Sequence, residues 1–172
     1  MSYTVWFTGL PCSGKTTLAS RLDVVMTMAG CRTFLLDGDI VRRGLCSDLG
    51  FSPEERTENL RRIAHVARMF NDAGVTILAS FISPTEEVRK MIAEIIPEVR
   101  FVHVKCSPEE CARRDVKGMW AKAKAGEIEN FTGYSAPFEE PLDCDLVVDT
   151  EKDEPRDSVR WLCVALGIDF VL

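Results

Sequence analysis

Short apolar runs alternate with longer amphipathic stretches along the whole of this 172-residue chain. Residues 3–8 are mostly β-branched and aromatic and predict a strand. Residues 33–36, 75–79, 101–104 and 145–149 predict four more. Helical patterns lie between them. One starts at Leu18 and extends to about Met28, where Gly30 ends it. Another puts Arg56, Asn59, Ile63, Val66 and Phe70 on one stripe, and a closing helix over 154–167 does the same with Val159, Leu162, Cys163 and Leu166.

Polar residues punctuate these elements in a repeated way. Ser52, Pro53 and Glu55 read as an N-cap, a first helical position and the closing residue of a capping box. The same device is expected at Ser83, Pro84 and Glu86, and again at Ser107, Pro108 and Glu110. A loop is expected over 43–51. Residues 113–137 lose apolar periodicity and carry small and basic residues. Alternation of strand and helix without a linker predicts one α/β domain over 1–172, with a mostly parallel sheet of about five strands flanked by helices. In such sheets ligands bind beyond the carboxyl ends of the strands. Those ends here carry residues 9–17, Asp37 to Asp39, and residues 80–83.

Composition narrows the class. The chain is 46% apolar and 28% charged, with a formal charge of −6 from 21 basic and 27 acidic residues. That balance argues against a general nucleic-acid or membrane-surface binder. No apolar run approaches a membrane span and no signal-peptide pattern opens the chain, so a cytoplasmic protein is expected. The seven cysteines include no C-x-x-C pair and read as reduced thiols, several of them buried, with no zinc site.

The candidate chemistry starts at Gly9, Leu10, Pro11, Cys12, Ser13, Gly14, Lys15, Thr16 and Thr17. This is G-x-x-x-x-G-K-T between a strand and a helix, a phosphate-binding loop in its required context. Backbone N–H groups and the helix start would surround phosphate oxygens. Lys15 would reach the β- and γ-phosphates of a nucleoside triphosphate, and the Thr16 hydroxyl suits Mg²⁺. Asp37 and Asp39 stand two apart at a strand end, so extended backbone would put both on one side. Beside a phosphate loop the pair could hold the water shell of Mg²⁺ and take a proton from an acceptor hydroxyl; alone, Asp-Gly is turn chemistry.

Arg56 and Asn59 continue an inward-facing stripe. A bound anion and a neighbouring carboxylate both remain open as partners for Arg56. Arg61 and Arg62 lie off that stripe and read as a solvated face. Residues 113–124 hold five basic residues and one acid, which fits either a lid over phosphates or a solvated helix. Phe51 and Phe131 sit in glycine-containing loops, where they cover a core edge or stack on a base. The histidines His65 and His103 read as structural. A Cys12 thiolate would be favoured by Lys15 and the helix start, but packing within the loop is the simpler expectation.

Taken together these motifs resemble the adenylylsulfate kinase (APS kinase) family over Trp6 to about Thr150. The resemblance rests on the phosphate loop, on Asp37-Gly38-Asp39 with Arg42, and on residues 48–52, 58–62, 80–84 and 114–118. Phe131-Thr132-Gly133 and Pro137 complete it. It implies a three-layer P-loop NTPase fold with a mobile lid over about 113–137. It also implies ATP and Mg²⁺ as cofactors and transfer of the γ-phosphate to the 3′-hydroxyl of adenosine 5′-phosphosulfate. Under it residues 9–17 hold ATP with Arg114 near that end, and Thr16 and Asp37 hold Mg²⁺, the latter through water. Asp39 orients or deprotonates the acceptor hydroxyl. Arg42, Arg56, Asn59, Ile82 and Ser83 contact the acceptor, Phe51 and Phe131 sandwich its adenine, and Lys117 belongs to the lid. A homodimer and a functional link to ATP sulfurylase are implied as well.

The family pattern marks Ser83 as a phosphoserine intermediate. The residues themselves make it a helix cap with a substrate contact, and in-line transfer needs no covalent intermediate. Ile40 stands where the family often has Asn, Thr85-Glu86 where it usually has Tyr-Arg, and Met119-Trp120 where it usually has Leu-Tyr. The rival readings are another small-molecule kinase, of shikimate or gluconate type, and a non-catalytic nucleotide-binding module. The paired phenylalanines argue against the first, and Asp39, Arg56, Asn59 and a basic lid argue against the second.

Overall fold

The central strand β1 (Thr4–Thr8) is buried along its whole length, with Val5, Trp6 and Phe7 fully enclosed. It pairs in parallel with β3 (Thr76–Ser80) on one side and β4 (Val99–Lys105) on the other. The edges are β2 (Thr33–Asp37) and β5 (Leu146–Asp149), giving the order β2-β3-β1-β4-β5 with every pairing parallel. This computed structural model describes residues 2–169.

Side-chain alternation along the strands builds two cores. On one face α1 (Lys15–Met28) and α7 (Pro155–Leu166) pack Leu18, Leu22, Leu162 and Cys163 against Val5, Phe7 and Val102. On the other face α3 (Pro53–Asp72) and α4 (Glu86–Ile95) pack Leu60, Ile63 and Ile92 against Trp6, Ile77 and Phe101. Register aligns Phe7 with Ser80 and Ser80 with Asp37, so the carboxyl ends of β1, β3 and β2 finish side by side. The expected three-layer parallel fold is present. No helix among the described residues is long and apolar enough to cross a membrane.

The capping expectation holds at one site in full, at one in part and fails at one. Ser52 Oγ accepts from Glu55 N at 3.2 Å while Glu55 Oε2 accepts from Ser52 N at 3.1 Å, a closed box at the start of α3. Ser107 caps α5 (Pro108–Arg114), but its own N–H goes to Glu151 and Glu110 turns to Arg113 and Arg114. Ser83 caps nothing. Thr85 is the N-cap of α4, accepting from Val88 N at 3.3 Å. Ser83 instead sits in the left-handed region at φ 45°, where its buried hydroxyl accepts from Trp6 Nε1 at 2.8 Å. A buried indole N–H needs an acceptor, and that demand outweighs the local capping pattern.

A short helix, α2 (Gly38–Arg43), starts at the end of β2. The backbone after Asp37 is therefore helical, not extended. Asp37 is its N-cap and accepts from Asp39 N at 3.0 Å, and Asp39 lies in the first turn. The residues that follow α2 are tied down by Arg62, which pairs with Asp48 at 2.8 Å and Glu58 at 2.9 Å. Arg62 is thus a structural clasp and not part of a free solvated face. A last helix, α6 (Met119–Lys124), lies within the lid stretch and leaves Lys122 and Lys124 in solvent.

Candidate functional site

The phosphate loop connects β1 to α1 and is shaped by close approach. A Cβ on Gly9 would come within 2.5 Å of the Val104 carbonyl oxygen, so only glycine fits there. Cys12 also adopts a left-handed backbone, at φ 66°. Lys15 is buried and folds back over the loop, donating to Gly9 O at 2.9 Å and Leu10 O at 2.6 Å. Burial pushes its ammonium down to about 8, which marks a cation held ready for an anion. Burial pushes the Cys12 thiol up, and Asp115 beside it acts in the same direction. Cys12 packs against the small core around Leu10 and Trp120.

Thr16 joins this loop to the second strand end. Its hydroxyl donates to Asp37 Oδ2 at 2.7 Å and lies 3.1 Å from Ser80 Oγ. These are hard oxygen donors of the kind Mg²⁺ takes, in company with water and phosphate oxygens and not as an all-protein cage. No group of three or more His, Cys, Asp or Glu able to hold a metal occurs among the described residues. The donors present fit a water-sheathed Mg²⁺.

Past Asp37 the acceptor side opens. Asp39 is well exposed and is paired with Lys117, which the turn between α5 and α6 delivers. Arg42 donates to Gly50 O at 2.8 Å and lies 4.4 Å from the centre of the Phe51 ring. Phe51 is 64% exposed, which overturns a core-edge role for it. With Arg42 on one face, its other face is free for stacking. Asn59 is buried and its Oδ1 has no hydrogen-bond partner. Such an orphan acceptor costs stability unless a ligand satisfies it. Arg56, half-buried and with its guanidinium pushed down first by burial and then by Arg42, pairs with no carboxylate among the described residues.

The lid is docked by its own small core. Trp120 and Phe131 meet edge to face at 5.1 Å, with Leu10, Cys106 and Cys111 around them. Trp120 Nε1 donates to Pro11 O at 3.2 Å, so the lid is tied to the phosphate loop itself. Arg114 reaches the same loop through Thr150. It donates to Thr150 Oγ1 at 3.1 Å, and that hydroxyl donates to Ser13 O at 2.8 Å. Phe131 is buried, unlike Phe51. Ile82 contributes its carbonyl, which accepts from Thr8 Oγ1 at 2.6 Å.

Three contributors escaped the sequence reading. Thr150 follows β5, and the strand-end rule could have marked it. Ser80 ends β3 inside a stretch noted only as a whole. Arg89, buried on α4, donates to Ser83 O at 2.8 Å and Glu139 O at 2.9 Å, clamping the Ser83 turn to the segment just past residue 137. Nothing local in the sequence signals that clamp. His65 is exposed on α3, and His103 is buried against Phe138 with its imidazole pushed down by burial.

This geometry joins the phosphate loop to Asp37, and through Asp37 to Asp39 and Lys117, at the carboxyl ends of β1 and β2. A family model described as adenylylsulphate kinase matches residues 1–149. This chain belongs to the adenylylsulphate kinase family. It is 49% identical over 161 residues to the adenylyl-sulfate kinase of Thermodesulfovibrio yellowstonii, covering 92% of this chain and 80% of that one. It is 51% identical over 169 residues to that of Shewanella sp. strain ANA-3, covering 95% and 82%. Its fold matches the APS kinase of Mycobacterium tuberculosis in complex with AMPPNP and APS at a TM-score of 0.93. There the identity is 37%, with 96% of this chain and 98% of that one covered. Family membership makes the chain an ATP-dependent kinase with an alcohol group as phosphate acceptor.

Proposed function

We propose that this chain transfers the γ-phosphate of ATP to the 3′-hydroxyl of adenosine 5′-phosphosulfate, releasing ADP and 3′-phosphoadenosine 5′-phosphosulfate. One observation carries the assignment of roles. The Thr16 hydroxyl bonds Asp37, and Asp37 caps the helix whose first turn carries Asp39. A single short chain of contacts thus links the triphosphate loop to the carboxylate that faces the acceptor.

Gly9 to Thr17 bind the triphosphate, with Lys15 released from Gly9 O and Leu10 O onto the β- and γ-phosphate oxygens. Arg114 and Thr150 fix the far wall of the donor site. Thr16, and Asp37 through water, would hold Mg²⁺, which would neutralise phosphate charge. Asp39 accepts the proton of the acceptor hydroxyl as its oxygen bonds to the γ-phosphorus and the bond to the ADP oxygen breaks. Lys117 moves from Asp39 toward the phosphates in the same event. Phe51 offers its exposed ring to the acceptor base, and Phe131, buried against Trp120 here, would meet the other face only once that cluster rearranges. Arg56, with Arg42 behind it, faces the phosphosulfate, and Asn59 Oδ1 accepts a hydrogen bond from the acceptor. Ser83 and Ile82 form the floor of that pocket without a covalent intermediate. A cytoplasmic location, a homodimer and a supply reaction of the ATP sulfurylase type belong to the same reading.

The test is ADP release from Mg-ATP with a panel of acceptors: adenosine 5′-phosphosulfate, shikimate, gluconate and nucleoside monophosphates. Release that depends on the phosphosulfate alone is expected. Release driven by gluconate or shikimate would replace the proposal with the rival kinase reading.

A further inference from the structure

We propose that Thr132 is a positioning residue for the acceptor, acting through Arg56; this rests on the acceptor assignment above. Arg56 is one side chain serving two loops. Its Nε donates to Phe51 O at 2.9 Å, and its Nη1 donates to Thr132 Oγ1 at 3.1 Å, across 76 residues of chain. The two loops so joined carry Phe51 and Phe131. The spacing of these two loops is therefore tied to one guanidinium and the hydroxyl that holds it.

Thr132 can do this because it is itself immobile. It is 2% exposed. The N–H groups of Tyr134, Ser135 and Ala136 converge on Phe131 O at 3.0–3.1 Å, and Ser135 Oγ accepts from Phe131 N at 2.9 Å. Gly133, at φ 90°, lies so close to Leu10 and Trp120 that a Cβ would come within 2.6 Å of Leu10 Cδ2. Thr132 is thus held in a bonded turn whose next residue, Gly133, packs close to Leu10 of the phosphate loop. Among the described residues Arg56 Nη2 makes no hydrogen bond. Fixing two of the guanidinium's corners aims that third corner, and Asn59 one turn further along α3, at the same ligand. A fixed planar fork loses less freedom on gripping an anion than a mobile one.

Thr132→Val tests this, because it removes the hydroxyl and keeps the shape. The expected result is a KM for adenosine 5′-phosphosulfate raised about tenfold with the KM for ATP unchanged. Thr132→Ser restores the acceptor KM, and in an Arg56→Met background Thr132→Val has no further effect. Thr132→Ala removes the same oxygen with less demand on packing and serves if the valine variant does not fold. An unchanged acceptor KM in an active protein, or an equal rise in both KM values that serine does not rescue, would overturn the positioning role alone. A wild-type protein that turns over no phosphosulfate would overturn the functional reading and this role with it.

Discussion

Lys117 and Asp39 form an ion pair across 78 residues, one carried by the lid and the other by the first turn of α2. Both side chains are more than half exposed, so the pair adds little to stability. Its consequence is functional. In the proposed mechanism Lys117 rests on the carboxylate that would take the acceptor proton, so the two must part for transfer. Asp39→Asn should keep ATP binding and lower kcat by about 100-fold or more, the usual share of a general base. Nucleotide titration and steady-state rates check this, and retained turnover would remove Asp39 from the mechanism.

The Trp6 to Ser83 hydrogen bond predicts a different signature for the neighbouring turn. Ser83→Ala leaves a buried indole N–H without its acceptor and should cost about 1–3 kcal/mol. Thr85→Ala removes the true cap of α4 and should cost about 1 kcal/mol with kcat intact. Denaturant unfolding of both variants measures the costs. A folded Ser83→Ala protein should retain measurable turnover; complete loss would point to a covalent role for the hydroxyl.

Burial of Lys15 predicts a proton linkage. Its ammonium is pushed down to about 8 from 10.5. Between those values the unfolded chain binds the proton and the folded protein does not, so this group's contribution to stability rises with pH across the window. A triphosphate beside Lys15 favours the charged form. ATP binding at about pH 9 should therefore take up a proton. Titration calorimetry in two buffers of different ionisation enthalpy reads that uptake directly, and Lys15→Met should abolish it.

Gly133 separates general damage to the lid from the specific effect at Thr132. Gly133→Ala forces a Cβ against Leu10 and Trp120 in a left-handed backbone. It should destabilise the protein by about 1–3 kcal/mol and raise the KM for ATP and for the acceptor together. Thermal melts with kinetics for both substrates check it; an effect confined to the acceptor would show that the lid cluster does not reach the donor loop.

Much of this protein is determined by sequence alone, because its signals are local. Strand periodicity, the glycine loop and the Ser52 capping box each act over a few residues, and all three stand in the structure. The phosphate loop is local in the same sense, since one strand, one loop and one helix build it. Tertiary structure decided what depends on distant partners. Ser83 looked like a cap until a buried Trp6 claimed its hydroxyl. Asp39 looked extended until the residues after β2 closed a helical turn on Asp37. Phe51 and Phe131 looked alike in sequence, yet Arg42 holds one in the open and Trp120 buries the other. The Arg56 to Thr132 contact exists only because the lid folds back across the cleft. Buried polar groups must find partners wherever the fold places them, and no local pattern records which partner that will be.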